Sequence, residues 1–247
     1  MSYLPIPALP ADRPEAFPPA EQALDEPNGL LAWGGDLSPA RLVAAYSRGI
    51  FPWYSEGQPP LWWCPDPRTV FDTGAIRLSS RFRRTLRRSR WEVRTDTCFD
   101  AVVAACARAP RPGQDGTWIT PAMRAAYGHL HQLGYAHSIE VFDGPRLVGG
   151  LYGVAVGRAF SAESMFSAES GGSKVALAAL GHWLAAWGWP WIDAQVANPH
   201  LLGLGARELP RAAFLARWAG LVAAPGRPGP WREAPLPAAR LAGVSAA

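Results

Sequence analysis

Apolar and polar positions change their period several times along this chain. Leu42, Val43, Ala45 and Tyr46 recur at helical spacing, with Ser38 as an N-cap, Pro39 at the first helical position and Gly49 at the stop. A second helix is expected from Ser79 or Ser80, with Phe82 and Leu86 inward at i, i+4. Thr97 and Asp100 have capping-box spacing ahead of Phe99, Val102, Val103 and Cys106. Thr120-Pro121 opens another helix carrying Met123, Tyr127 and Leu130, and Gly134 ends it. From Tyr135 strict alternation replaces helical spacing. The runs YAHSIEVF, RLVGGLYGVAVG and AFSAESMFS, joined by tight turns such as Asp143-Gly144, predict three strands of an antiparallel meander. Ser173 is expected to cap a helix reaching about Trp187, with Leu177, Leu180 and Leu184 inward; WPWIDAQV then reads as a strand and NPHLLGLG as a short helical segment.

Outside these runs the pattern is irregular. Residues 1–27 are rich in proline and acidic residues and read as an arm, with PNGLLAWGGDLSP as turn, short strand and turn. In IFPWYSEGQPPLWWCPDPR five aromatic rings stand among prolines, which excludes a continuous helix. Trp62 and Trp63 are expected in the core there, and Trp53 beside Pro52 as a stacking platform. The loop ARAPRPGQDG is turn material expected to be mobile. Beyond Val222 the chain is mostly alanine, proline and glycine with arginines, the composition of a flexible tail. The element order predicts an α+β protein. A small N-terminal domain (1–72) would precede a sheet domain (73–222) resembling the GNAT-type acyltransferase architecture, and a flexible tail (223–247) would follow.

Composition narrows the class. With 247 residues, 49% hydrophobic and 18% charged, the chain can bury a sizeable core. No run approaches the roughly 20 apolar residues of a membrane span, and the N-terminus lacks a basic segment followed by an apolar one. A cytoplasmic protein with no membrane partner is expected. Cys64, Cys98 and Cys106 lack C-x-x-C spacing, and His129 and His131 lie on different helix faces, so neither a disulfide framework nor a metal centre is indicated.

Net charge is only +4, but its distribution is uneven. SSRFRRTLRRSR carries Arg81, Arg83, Arg84, Arg87 and Arg88 with no acid nearby, a pattern suited to a nucleic-acid backbone. Glu163 stands inside a strand of small and apolar residues, and Asp193 repeats that pattern in the next strand. Burying a carboxylate is costly unless it is paired or used. Regular alternation would put Asp193 and Gln195 on one face, where an acid and an amide can orient an incoming amine. No nucleotide-binding loop accompanies them, so an acyl donor would arrive already activated. Two other readings fit parts of the pattern. One is an acyl-CoA N-acyltransferase with pyrophosphate at the helix opening near Ser173; the other is a non-catalytic RNA-binding module.

The strings EPNGLLAWGGDLSPARL, AYSRGIFPWYSEG, LWWCPDPR, GTWITPAM, AHSIEV, LVGGLYGVAVGRAF, ESMFS, IDAQ and LGARELPR together resemble the leucyl/phenylalanyl-tRNA–protein transferase family. They run in family order from residue 26 to about 215. The resemblance implies transfer of leucine or phenylalanine, and by extension methionine, from aminoacyl-tRNA to proteins beginning with arginine or lysine. It implies that the product is marked for degradation and that no metal or soluble cofactor takes part; a monomer is expected. Carried onto this chain, it assigns Trp53 and Trp118 to the terminal adenosine and Glu163 to the aminoacyl end. It assigns Leu151, Phe160, Met165, Leu180 and Ile192 to the side-chain pocket, and Asp193 and Gln195 to the acceptor amine. Arg83, Arg84, Arg87 and Arg88 would meet the tRNA. Ser161-Ala162 stands where the family pattern has Cys-Gly.

Overall fold

The computed structural model describes residues 6–109 and 117–243. A four-stranded sheet comes first in the chain. It is built from β1 (Ala8–Leu9), β2 (Leu30–Gly34), β3 (Phe51–Pro52) and β4 (Leu61–Trp63), in the order β1-β2-β4-β3, with helix α1 (Pro39–Ser47) between β2 and β3. The Ser38 side chain accepts from the Arg41 amide, the cap that Ser-Pro predicts. Arg41, fully buried, holds the arm by donating to the Pro10 carbonyl at 2.6 Å while its Nε donates to Asp36 at 3.1 Å.

The chain continues through β5 (Arg68–Asp72), α2 (Ser80–Leu86), β6 (Glu92–Thr95), α3 (Phe99–Arg108) and α4 (Pro121–Gln132). The meander follows as β7 (Ala136–Asp143), β8 (Arg146–Val156) and β9 (Ala159–Ser167), then α5 (Gly172–Ala186) and β10 (Trp191–Gln195). Last come α6 (Pro199–Gly203), β11 (Arg207–Leu209), α7 (Arg211–Ala223) and β12 (Leu236–Pro237). Eight of these strands form one mixed sheet, ordered β11-β5-β10-β9-β8-β7-β6-β12. β9 and β10 pair in parallel and β8 flanks β9 antiparallel.

Each face of the large sheet carries helices, because its central strands are buried on both sides. Leu177, Leu180 and Leu184 of α5 pack with Val141, Leu151, Phe160 and Ile192. Each fully buried aliphatic side chain contributes on the order of 1.5–3 kcal/mol. Gly172 meets the backbone of Val148 and Gly149 so closely that a Cβ there would collide with it, which brings the start of α5 onto β8. The second core joins Met123, Tyr127, Tyr152 and Val154 to Leu31 and Trp62 of the small sheet and to Leu42 and Tyr46 of α1. The small sheet thus packs against the large sheet through this second core.

Several expectations are corrected. The boundary at residue 72 falls at the end of β5, which is a strand of the large sheet. The tail is packed rather than flexible through residue 243: Trp231, Leu236 and Leu241 are buried, and β12 pairs with β6. Trp231 stacks on His137 at 3.8 Å, and its amide donates to Asp96 at 2.7 Å. Thr97 makes no capping box. Its hydroxyl and amide both donate to Glu140, which is 43 residues away, and Cys98 takes the cap position of α3 without a side-chain bond. Nor does Ser173 cap α5; its own amide donates to the Ser167 hydroxyl at 2.8 Å, and Gly171 at φ 95° is the N-cap. Most of the loop expected to be mobile, residues 110–116, lies outside the described residues.

Candidate active site

One cavity, about 530 Å³, opens where β9 and β10 meet the small sheet. Phe71, Leu151 and Leu177, each at most 2% exposed, line its deep part together with Met165. Trp53, 43% exposed, and Trp118 stand at its mouth, Glu163 supplies its charged group, and Gln195 and Asn198 its amides. Trp53 is braced from behind: its carbonyl accepts from the Trp63 indole at 2.7 Å, and the two rings meet edge to face at 5.6 Å.

The acid at the centre is held by phenols. The Tyr127 hydroxyl donates to Glu163 Oε2 at 2.7 Å, and Tyr127 and Tyr46 share a hydrogen bond of 2.6 Å. Burial pushes the Glu163 carboxyl up to about 7, against the two tyrosine bonds that favour its charged form; the Asp193 charge adds to the rise and Arg68 opposes it. Burial, with the charge of Glu163, holds both phenols well above their ordinary range, so they serve as donors. Gln195 Nε2 donates to Glu163 Oε1 at 3.2 Å, which leaves the Gln195 carbonyl oxygen free to accept from a ligand.

Asp193 lies elsewhere than the alternating pattern predicts. The register of β10 against β5 shifts between Asp193 and Gln195, and Gln195 takes φ +56°. This is a β-bulge, and it lets Ala194, Gln195 and Val196 all line the cavity. Asp193 turns inward, fully buried. Its oxygens accept from Arg68 Nε at 2.7 Å and Nη2 at 2.6 Å, from Ser161 Oγ at 3.0 Å and from the Gln195 amide at 3.1 Å. Burial opposes the Arg68 charge, but Asp193 outweighs it and the guanidinium pKa is raised. With both oxygens so occupied, Asp193 is not a free base. The hydroxyl at Ser161 joins that cluster.

Other expected residues divide. Trp53, Trp118, Leu151, Met165, Glu163 and Gln195 come together around the cavity. Phe160, Leu180 and Ile192 do not line it; each is fully buried in the core beneath. Leu177, one helical turn before Leu180, takes the cavity position, and Phe51, Phe71, Asn198 and Leu201 were not anticipated. Arg84, Arg87 and Arg88 are exposed and Arg83 half-buried; Arg83, Arg84 and Arg87 border a separate open pocket of about 380 Å³. The helix opening proposed for pyrophosphate is closed, since Gly171 lies against the Phe82 ring and Ser173 is buried. Among the described residues no group of His, Cys, Asp or Glu side chains could hold a metal ion, and no helix is long and apolar enough to cross a membrane.

The chain is similar to known proteins over most of its length. Residues 70–219 match the family model described as leucyl/phenylalanyl-tRNA protein transferase, and residues 35–66 match that of its N-terminal domain. The leucyl/phenylalanyl-tRNA–protein transferase of Xanthomonas euvesicatoria pv. vesicatoria is 68% identical over 87% of this chain and 86% of its own. The Xanthomonas campestris pv. campestris relative of that name is 63% identical over 96% of both chains, and that of Xylella fastidiosa 66% over 83% of this chain and 84% of its own. Among solved structures, L-PGS from Bacillus licheniformis superposes with a TM-score of 0.39 at 11% identity, covering 70% of this chain and 57% of that one, too low a score to assign a fold. The extent of these matches leads to one conclusion: the chain belongs to the leucyl/phenylalanyl-tRNA–protein transferase family.

Proposed function

We propose the following division of labour for the transfer of leucine or phenylalanine from aminoacyl-tRNA to a protein N-terminus. Trp53 and Trp118 grip the terminal adenosine, and the apolar side chain enters the space bounded by Phe71, Leu151, Met165 and Leu177. Such a pocket prefers Leu, Phe or Met over polar residues and separates them weakly from one another, because one methylene is worth only about 1–3 kcal/mol there. Arg83, Arg84, Arg87 and Arg88 receive the tRNA backbone. The acceptor begins with arginine or lysine.

The acceptor amine binds between the Gln195 carbonyl and Glu163. An α-amino group has a reference pKa of roughly 7.7–8.0, so a carboxylate near 7 is well matched to take its proton. The amine nitrogen attacks the ester carbonyl, the new C–N bond forms, the C–O bond to the ribose breaks, and the leaving ribose oxygen takes up a proton. Asp193 orients Gln195 and does not touch the amine. The observation that carries this reading is the hydrogen-bonded pair Glu163–Gln195 at the cavity wall.

We further infer a GNAT-like sheet, supported by the mixed pairing of β8, β9 and β10, with a small N-terminal domain ahead of it, and a monomer acting in the cytoplasm to mark proteins for degradation. The test is direct. The protein is mixed with Leu-tRNA or Phe-tRNA and with peptides beginning with arginine, lysine or aspartate. One added residue, by mass, on the first two and none on the third is expected; equal modification of all three rejects the acceptor assignment. Glu163→Gln and Gln195→Ala should lower transfer far more than tRNA affinity, and full activity in either removes that residue from the site.

A further inference from the structure

Arg68 stands behind the cavity, 1% exposed, and the steps above make no use of it. Its Nε and Nη2 meet the two oxygens of Asp193 at 2.7 and 2.6 Å, a fork that only arginine can supply. The third nitrogen, Nη1, has no hydrogen-bond partner. Aromatic faces flank the guanidinium instead, Phe51 at 5.0 Å and Phe214 at 4.6 Å. The plane of the fork is therefore fixed by rings from β3 and α7. What it fixes in turn is Asp193, whose Oδ1 accepts from the backbone amide of Gln195 at 3.1 Å.

That amide belongs to the residue at φ +56°, in a conformation a non-glycine side chain holds only when its surroundings impose it. We propose that Arg68 is a positioning residue for the transfer reaction: through Asp193 it holds the left-handed bulge that aims the Gln195 amide at Glu163 and the acceptor amine. The inference rests on the role given to Gln195 above. Stability alone is a poor reason for the arrangement, since a buried ion pair can often be replaced by apolar side chains without loss of folding. Geometry is a better one. Without the fork Asp193 keeps only the Ser161 hydroxyl as a side-chain donor, on Oδ2, so the Oδ1 that accepts from the Gln195 amide loses its anchor and the bulge relaxes towards regular strand.

The experiment compares Arg68→Lys, Gln195→Ala and the double variant, with Phe-tRNA and an arginine-initiated peptide as substrates. Arg68→Lys should lower kcat by about tenfold or more with KM for the aminoacyl-tRNA nearly unchanged, since a misaligned group costs rate rather than binding. In the Gln195→Ala background the same change should cost nothing further, because the group it aims is gone. Losses that multiply, or a normal kcat in Arg68→Lys, overturn the inference while leaving Gln195 in place. A silent Gln195→Ala overturns both it and the role of Gln195. Should circular dichroism show Arg68→Lys unfolded, the apolar replacement Arg68→Met with Asp193→Leu serves instead. Its kcat is expected at or below that of Gln195→Ala, and wild-type kcat in it rejects the proposal.

Discussion

The Tyr127 hydroxyl donates to Glu163 Oε2 at 2.7 Å and thereby opposes the burial that pushes this carboxyl up to about 7. A bond to the charged form lowers a pKa, so removing it raises the value further. Tyr127→Phe should move the acidic limb of the kcat/KM against pH profile to higher pH. At pH 7 activity should fall several-fold and recover in part as the pH rises. Single-turnover transfer from preloaded Phe-tRNA across pH 6–9 measures this, and an unmoved limb means that Glu163 is not the group titrating.

The arginines of α2 and the turn after it make a separate prediction, because Arg84, Arg87 and Arg88 are exposed and none of them lines the deep cavity. Replacing Arg83, Arg84, Arg87 and Arg88 by alanine should weaken tRNA binding and flatten its dependence on salt. The slope of log K against log salt should drop by roughly 0.7–0.9 for each phosphate that the variant no longer neutralises. A weaker affinity with an unchanged slope would place the effect on folding or shape rather than on the phosphates.

How far the sequence could be read depended on whether each signal was local. The meander was legible because alternation over residues 136–167 and the Asp143-Gly144 turn act over short range, and the Ser38 and Thr120 caps for the same reason. Thr97 departs from its local pattern because its partner, Glu140, comes from a strand 43 residues on. The tail is not legible because Trp231, Leu236 and Leu241 stand five residues apart, which fits neither helical nor strand spacing, so their burial leaves no recognisable periodic trace. Asp193 and Gln195 obeyed alternation on paper, yet the bulge between them sends one inward and the other to the cavity. Leu177 and Leu180 lie three apart on one helix face, and periodicity has no means of choosing between them.

That pair can be separated by experiment. Leu177 lines the cavity, whereas Leu180 is fully buried in the core below it. Leu177→Ala should enlarge the side-chain pocket and shift the ratio of kcat/KM towards Phe-tRNA over Leu-tRNA by about 10-fold, the scale set by a few methylenes. Leu180→Ala should leave that ratio alone and cost about 2–5 kcal/mol of stability as a core truncation. Competition between the two charged tRNAs reads the first effect, and urea unfolding reads the second. A shifted ratio in Leu180→Ala alone would restore the pocket assignment made from sequence.

Glu140 offers a stability test remote from the reaction. It is fully buried, and that burial pushes its carboxyl up to about 7, against hydrogen bonds from Ser138 and Thr97, with the Asp96 charge adding to the rise. Cys98 and Arg94 also lie within electrostatic reach of this cluster. The ordinary glutamate value is near 4.5, so between these limits the folded protein binds a proton that the unfolded chain has released. Stability therefore falls as pH rises through this window, and the penalty is complete above about 7. Glu140→Gln removes the titration while keeping the size of the side chain. Its unfolding free energy should rise relative to wild type on going from pH 5 to pH 8, by on the order of 1–3 kcal/mol. Groups common to both proteins cancel in that difference, so urea unfolding of the pair at the two pH values isolates Glu140, and a difference that does not change with pH would mean that its carboxyl titrates at an ordinary value.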